Sequence, residues 1–169
     1  MIGILSYGLG NIYAISNVLN EMNLKNKVIS DPKNINQEID RIILPGVGSF
    51  DNAMKLLNDK HFIDPIKNFI KQKKNKLLGI CVGMQILAEE SEEGNASGLG
   101  LIPGKVIRLN AKILPHVGWN KIKITHQSKI TSDLTSNSEF YFLHSYIFKS
   151  IRNLQIAETN YSEDFTSII

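Results

Sequence analysis

The stretch Leu77-Leu78-Gly79-Ile80-Cys81-Val82-Gly83-Met84-Gln85-Ile86-Leu87-Ala88 carries the main clue to the fold. Its apolar start has the length of a buried strand, two glycines flank a cysteine in the G-x-nucleophile-x-G form, and apolar residues resume after Gly83 at Met84, Ile86, Leu87 and Ala88, predicting a helix. In such an elbow the glycines relieve crowding while the central residue takes a strained conformation that lifts its side chain above the carboxyl edge of a sheet. A helix starting behind Cys81 would add free N–H groups and partial positive charge, both favouring thiolate over thiol, and the Val82 N–H would point at an oxyanion formed on attack. Cys81 therefore reads as a nucleophile, although a lone cysteine outside such a pattern is more often a small core residue.

Working toward the N-terminus, Arg41 to Leu44 predicts another short strand and Lys27 to Ser30 a further one, while Ile2, Ile4 and Leu5 open the chain as a strand. Ile12, Ile15, Leu19 and Met22 recur at helical spacing, as do Phe62, Ile63, Ile66, Phe69 and Ile70 in the segment that runs on to Lys74. Strand and helix thus alternate over the first half, which predicts parallel strands joined by right-handed crossovers. From Gly98 the pattern changes: Lys105 to Leu109, Lys121 to Thr125, Phe140 to Leu143 and Leu154 to Thr159 have strand character without long helices between them. The expected fold is α/β, an open mixed, mostly parallel sheet flanked by helices, with a strand-rich second half. No linker or repeat divides the chain, so residues 1–169 are expected to form a single domain.

Composition narrows the field of functions. Hydrophobic residues make up 43% and charged residues 21% of the 169, an ordinary globular balance. The formal charge of +3 is scattered rather than blocked, arguing against nucleic acid and anionic membranes as partners. No run approaches the ~20 apolar residues that span a bilayer, and the start lacks signal-peptide features, so a cytoplasmic location is expected. One cysteine rules out an internal disulfide and a zinc site built on several thiolates.

Two glycine-rich turns follow other predicted strands. Pro45-Gly46-Val47-Gly48-Ser49-Phe50 should meet Cys81 at the carboxyl edge of the sheet, where its backbone N–H groups could serve a developing oxyanion. Gly8-Leu9-Gly10-Asn11-Ile12-Tyr13 suggests dinucleotide binding, but tyrosine stands where the third glycine of that fingerprint belongs. Asp31 beside Pro32 then reads as turn material rather than a ribose ligand.

These segments, with Gly98-Leu99-Gly100-Leu101-Ile102-Pro103-Gly104, Pro115-His116-Val117-Gly118-Trp119-Asn120 and Phe142-Leu143-His144-Ser145-Tyr146, resemble in order and over essentially the whole chain the triad-type (class I) glutamine amidotransferases, and most closely the glutaminase subunits of imidazole glycerol phosphate synthases. The resemblance implies hydrolysis of the glutamine side-chain amide through a thioester on Cys81, with ammonia passed to a cyclase partner of (β/α)8 barrel fold in a heterodimer, and no cofactor or metal. It implies that Gly48, Gln85, Ser145 and Tyr146 hold glutamine, that Val47, Gly48 and Val82 supply or gate the oxyanion hole, and that Trp119 and Asn11 face the partner. Paralogous subunits supply ammonia for surface-sugar amidination, and Ser91-Glu92-Glu93-Gly94 is compatible with either branch. A catalytically inactive binding module docked through Trp119 and Asn11 is the remaining alternative.

The family's histidine and glutamate stand in a Gln-Phe-His-Pro-Glu segment that this sequence does not contain. The histidine takes the thiol proton and the glutamate orients the imidazole. His61, His116, His126 and His144 are the histidines present, of which His144 lies beside the expected glutamine loop and His116 on the expected partner face. Phe165 to Ile169 reads as the beginning of a strand left without partners, so the expectation is a truncated product.

Overall fold

The computed structural model describes residues 1–150 and 154–169. Its first half is β1 (Ile2–Leu5), α1 (Ile12–Glu21), β2 (Asn26–Ile29), β3 (Arg41–Leu44), α2 (Phe50–Asp59), α3 (Ile63–Ile70), β4 (Lys76–Gly79) and α4 (Val82–Gln85). The four strands pair in parallel in the order β2-β1-β3-β4, with Ile2 opposite both Asn26 and Arg41, and Arg41 opposite Lys76. Successive side chains on these strands point to opposite faces. Ile4 and Ile43 therefore meet Leu19 of α1 on one side, while Leu5, Ile42 and Leu44 meet Phe50, Leu57, Phe62 and Ile66 on the other.

Helix α2 lies in a stretch the strand and helix expectations pass over, although its buried residues Phe50, Ala53, Met54 and Leu57 have helical spacing. The expected helix behind Cys81 proves to be one turn, ending at Gln85. Ile86, Leu87 and Ala88 are buried, and their carbonyls accept from the amides of Leu99, Leu101, Ile102 and Gly100 instead of continuing the helix. Asp31 caps a short 3-10 turn, accepting from the Lys33 N–H at 2.9 Å, in keeping with a turn role.

The second half comprises β5 (Glu90–Ser91), β6 (Gly104–Arg108), β7 (His116–Lys121), β8 (Lys123–Ile124), β9 (Glu139–His144), β10 (Tyr146–Ser150), β11 (Ala157–Tyr161) and β12 (Glu163–Ile168). Six of them form a sheet in the order β5-β6-β10-β12-β11-β8, in which β5 and β6 are parallel and the other pairs antiparallel. Strands β7 and β9 form a separate antiparallel ribbon. The expected strand Lys121 to Thr125 is split between the two sheets by Ile122, which is 2% exposed and turns into the interior. The strand expected from Leu154 begins at Ala157 and runs to Tyr161. The backbone from Glu163 to Ile168 is not left unpaired as expected, for β12 lies between β10 and β11. Val106 and Phe148 join the main core of the first half, so the two halves pack on each other.

Candidate active site

The turn after β4 places Cys81 at φ 56° and ψ −119°, a conformation that costs a residue with a side chain about 1–3 kcal/mol. Close packing explains the flanking glycines. A Cβ on Gly79 would lie 2.5 Å from the Gly83 carbonyl oxygen, and one on Gly83 would collide with the Leu44 carbonyl oxygen at the end of β3. The turn is closed by the Gly83 N–H donating to the Ile80 carbonyl at 2.9 Å, and the Met84 N–H to that of Cys81 at 2.9 Å. Cys81 is exposed. Surrounding protein atoms nevertheless push its pKa above the ordinary 9.0, and a hydrogen bond from the Val82 backbone opposes this only in part. The resting group is thus a thiol, contrary to the expected thiolate. A helix of one turn aligns too few peptide dipoles to outweigh desolvation.

The Pro45–Gly48 turn packs directly on this elbow: a Cβ on Gly46 would lie 2.5 Å from the Gly83 nitrogen and 2.9 Å from Val82 Cβ. The turn is anchored at both ends. The buried Tyr7 hydroxyl donates to the Pro45 carbonyl at 2.7 Å, and the Phe50 N–H donates to Glu93 Oε2 at 2.8 Å. Burial, with the nearby Cys81, raises the Tyr7 pKa well above 10.0, keeping its proton on the donor. Between the anchors, Val47 is 57% exposed, and Gly48, at φ 101°, faces open space. Glu93, within the Ser91–Gly94 motif, therefore has a definite part in fixing the end of the loop.

A cavity of about 580 Å³ opens beside the elbow, bounded by Cys81, Met84 and Gln85 on one side and by His144, Tyr146 and the end of β12 on the other. Its walls are largely aliphatic and aromatic. Gln85, only 7% exposed, donates through Nε2 to the Tyr146 carbonyl at 3.0 Å, so these two expected glutamine residues are joined directly. Ser145 is the single residue between β9 and β10, where the chain passes from the ribbon into the large sheet. Cys81, Gln85 and Tyr146 line the cavity; Val47, Gly48 and Ser145 do not.

The histidines stand differently from expectation. His144 has both ring nitrogens engaged, Nδ1 with the Tyr146 carbonyl at 3.1 Å and Nε2 with His116 Nδ1 at 3.0 Å. Burial, followed in size by an opposing pull from the Tyr146 carbonyl and then by repulsion from His116, lowers its pKa to about 4. It is therefore a poor base for Cys81 near neutrality. His116 is 3% exposed, not on an outer face: alternation along β7 turns it inward, stacked between Phe142 and Tyr161. His126 Nδ1 contacts the Gln155 carbonyl at 2.8 Å, and His61 lies just past α2.

Alternation also defines the ribbon's other face. Val117 pairs with Leu143 and Trp119 with Tyr141, all four at least 53% exposed, with Trp119 at 71%. Trp119 stands edge-on to Tyr141 at 5.8 Å. Only Trp119 is singled out by the sequence motif; its three apolar neighbours need the register to be seen. Asn11 is exposed and its side chain caps α1, accepting from the Ala14 N–H at 3.2 Å.

A parallel sheet with a cysteine elbow at its carboxyl edge, apposed to a glycine turn, defines a thiol-dependent α/β enzyme architecture. Residues 4–169 match the family model "Glutamine amidotransferase class-I", and the chain belongs to that family. It is 41% identical to the Leptospira interrogans protein named imidazole glycerol phosphate synthase subunit HisH, covering 100% of this chain and 86% of that one. It is 39% identical to the HisH subunit of Archaeoglobus fulgidus, with coverages of 99% and 83%. A crystal structure described as a glutamine amidotransferase superposes with a TM-score of 0.71 at 17% identity, over 92% of this chain and 78% of that one, a likeness of fold. Among the described residues no helix is long and apolar enough to cross a membrane.

Proposed function

We propose that this chain is the glutamine-hydrolysing subunit of an imidazole glycerol phosphate synthase, acting in histidine biosynthesis in the cytoplasm and passing ammonia to a (β/α)8 cyclase subunit in a heterodimer. The observation that carries the reading is Cys81 at φ 56° on the carboxyl edge of the parallel sheet, in a chain 41% identical over its whole length to a HisH subunit. Residues 1–169 act as one amidotransferase domain. The branch serving surface-sugar amidination has no comparable support, since the relatives carry the HisH name.

In this reading the deprotonated Cys81 sulfur attacks the side-chain carbonyl carbon of glutamine, forming the C–S bond and moving charge onto oxygen. The N–H of Val82 and those of the Val47–Gly48 segment stabilise that oxyanion. Collapse breaks the C–N bond, the leaving nitrogen takes a proton and departs as ammonia, and water then cleaves the thioester to glutamate and free thiol. Gln85 with the Tyr146 backbone, Ser145 and Gly48 orient the amino acid. His116 and His144 are bonded to each other and to the Tyr146 carbonyl, and no histidine of this sequence is assigned the proton transfer. The exposed ribbon face around Trp119, with Asn11, docks the cyclase.

The test is labelling by a diazo-oxo-norleucine analogue of glutamine with the cyclase subunit present. One adduct per chain at Cys81, prevented by excess glutamine and absent in Cys81→Ala, is the expected result. No saturable adduct despite stable complex formation would support the docking module instead.

A further inference from the structure

The two inward histidines form a chain of hydrogen bonds in which one carbonyl determines every proton. The Tyr146 carbonyl can only accept, so His144 carries its proton on Nδ1, 3.1 Å away. Its Nε2 is then an acceptor, and the partner 3.0 Å away, His116 Nδ1, must donate. His116 Nε2 is left as an acceptor facing the Asn120 amide at 3.5 Å, the longest link. That amide also donates to the Asn160 carbonyl at 2.9 Å, while Asn120 Oδ1 accepts from the Lys121 N–H at 2.8 Å, so flipping the amide would lose both bonds. The far end of the chain meets Gln85, whose Nε2 donates to the same Tyr146 carbonyl at 3.0 Å.

We propose that His116 and His144, both neutral, act as positioning residues that hold the Tyr146 carbonyl and Gln85 in the geometry that binds glutamine. The inference rests on the glutamine-hydrolase reading and deepens it. Neither imidazole is assigned a proton transfer in the reaction. A proton added to His144 Nε2 would face the His116 N–H and break the chain at its centre, and one added to His116 Nε2 would face the Asn120 amide and break the outer link. Among the described residues, the groups packed around the pair supply no counter-ion: Tyr161 from β11 stacks on His116 at 4.0 Å, Phe142 and Phe165 close the sides, and Cys81 shares the cavity with His144. Burial correspondingly disfavours protonation of both rings.

The experiment measures the half-saturation concentration and maximal rate of Cys81 labelling by the diazo-oxo-norleucine analogue, with the cyclase subunit present. His116→Ala should raise half-saturation about three- to tenfold, the worth of one lost hydrogen bond, with a change below about twofold in maximal rate. His116→Gln, which keeps one donor and one acceptor but does not titrate, should restore half-saturation near neutrality. It should also flatten the weakening expected of the unaltered chain as pH falls toward about 4, where His144 gains a proton, because the introduced glutamine amide can turn its oxygen toward that proton. If the alanine variant does not fold, Asn120→Ala provides the second probe, with a rise of about two- to threefold from its single long link. Saturable labelling with half-saturation unchanged in these variants, or changed only in maximal rate, would overturn the relay. Absence of saturable labelling in the unaltered chain would overturn the underlying reading instead.

Discussion

The parallel half and the antiparallel half build the site by different means. In β1–β4 the reactive group is fixed by neighbours close along the fold: Cys81 is held by Gly79 and Gly83 against the end of β3, and the Pro45–Gly48 turn rests on that elbow. In β5–β12 the corresponding contribution is a set of side chains gathered from distant strands, with His116 from β7, His144 from β9 and Tyr161 from β11 stacked or bonded in one cluster. The first arrangement tolerates almost no added atom. The second depends on polar matching between groups that could each be replaced in volume, and so it is expected to fail gradually and with pH rather than all at once.

Four measurements would break or sharpen that contrast. The largest effect should come from Cys81→Gly. Removing the sulfur should lower analogue labelling by about three orders of magnitude or more. Because glycine accepts φ 56° freely, the same change should raise unfolding free energy by about 1 kcal/mol in a denaturant titration. Next, Gly83→Ala should lower stability by about 3 kcal/mol or more, since its Cβ meets backbone at Leu44. Gly118→Ala in the ribbon, at φ 137° with open space around it, should lose about 1–2 kcal/mol. Equal losses at the two glycines would erase the distinction.

A smaller effect is expected at Tyr7→Phe, which removes the 2.7 Å bond to Pro45 and should cost about 1 kcal/mol in denaturant unfolding. Analogue labelling should also slow as the turn loosens. The last prediction concerns the histidine pair. His144 has a folded pKa near 4 against 6.5 ordinarily, so the unfolded chain binds more protons between those values. Stability from this source is complete above about pH 6.5 and is lost as pH falls toward about 4. The thermal midpoint should decline over that window, and His144→Phe should flatten the decline. A wild-type midpoint that rises on acidification would contradict the neutral pair.

The contrast also explains what could be read from the residues alone. Arg41 to Leu44 and Leu77 to Ile80 reveal themselves as strands because each is a short apolar run leading into a glycine-containing turn, and the elbow follows from local spacing. Phe50–Asp59 has helical spacing at Phe50, Ala53, Met54 and Leu57, but the glycine turn directly before it is the stronger local signal. The relay had no local signal: His116 and His144 are 28 positions apart, and only the register of β7 and β9 puts them opposite each other. The charge state of Cys81 also escaped, because desolvation depends on what packs around the sulfur rather than on the residues beside it in sequence. Nor could the motif tell that the helix behind it would stop after one turn, its carbonyl partners being supplied from residues 99–102.

Tyr7 and Glu93 tether the loop between β3 and α2 at Pro45 and Phe50, leaving Gly46 to Ser49 as the only stretch between tethers. Ordering a residue's backbone costs about 1–2 kcal/mol, so a leash this short has little entropy left to surrender. Rotating one or two peptide planes within it would re-aim an amide while the helix behind stays still. Any change in the loop's aim would therefore draw little on the energy that drives it, and the two tethers set how little.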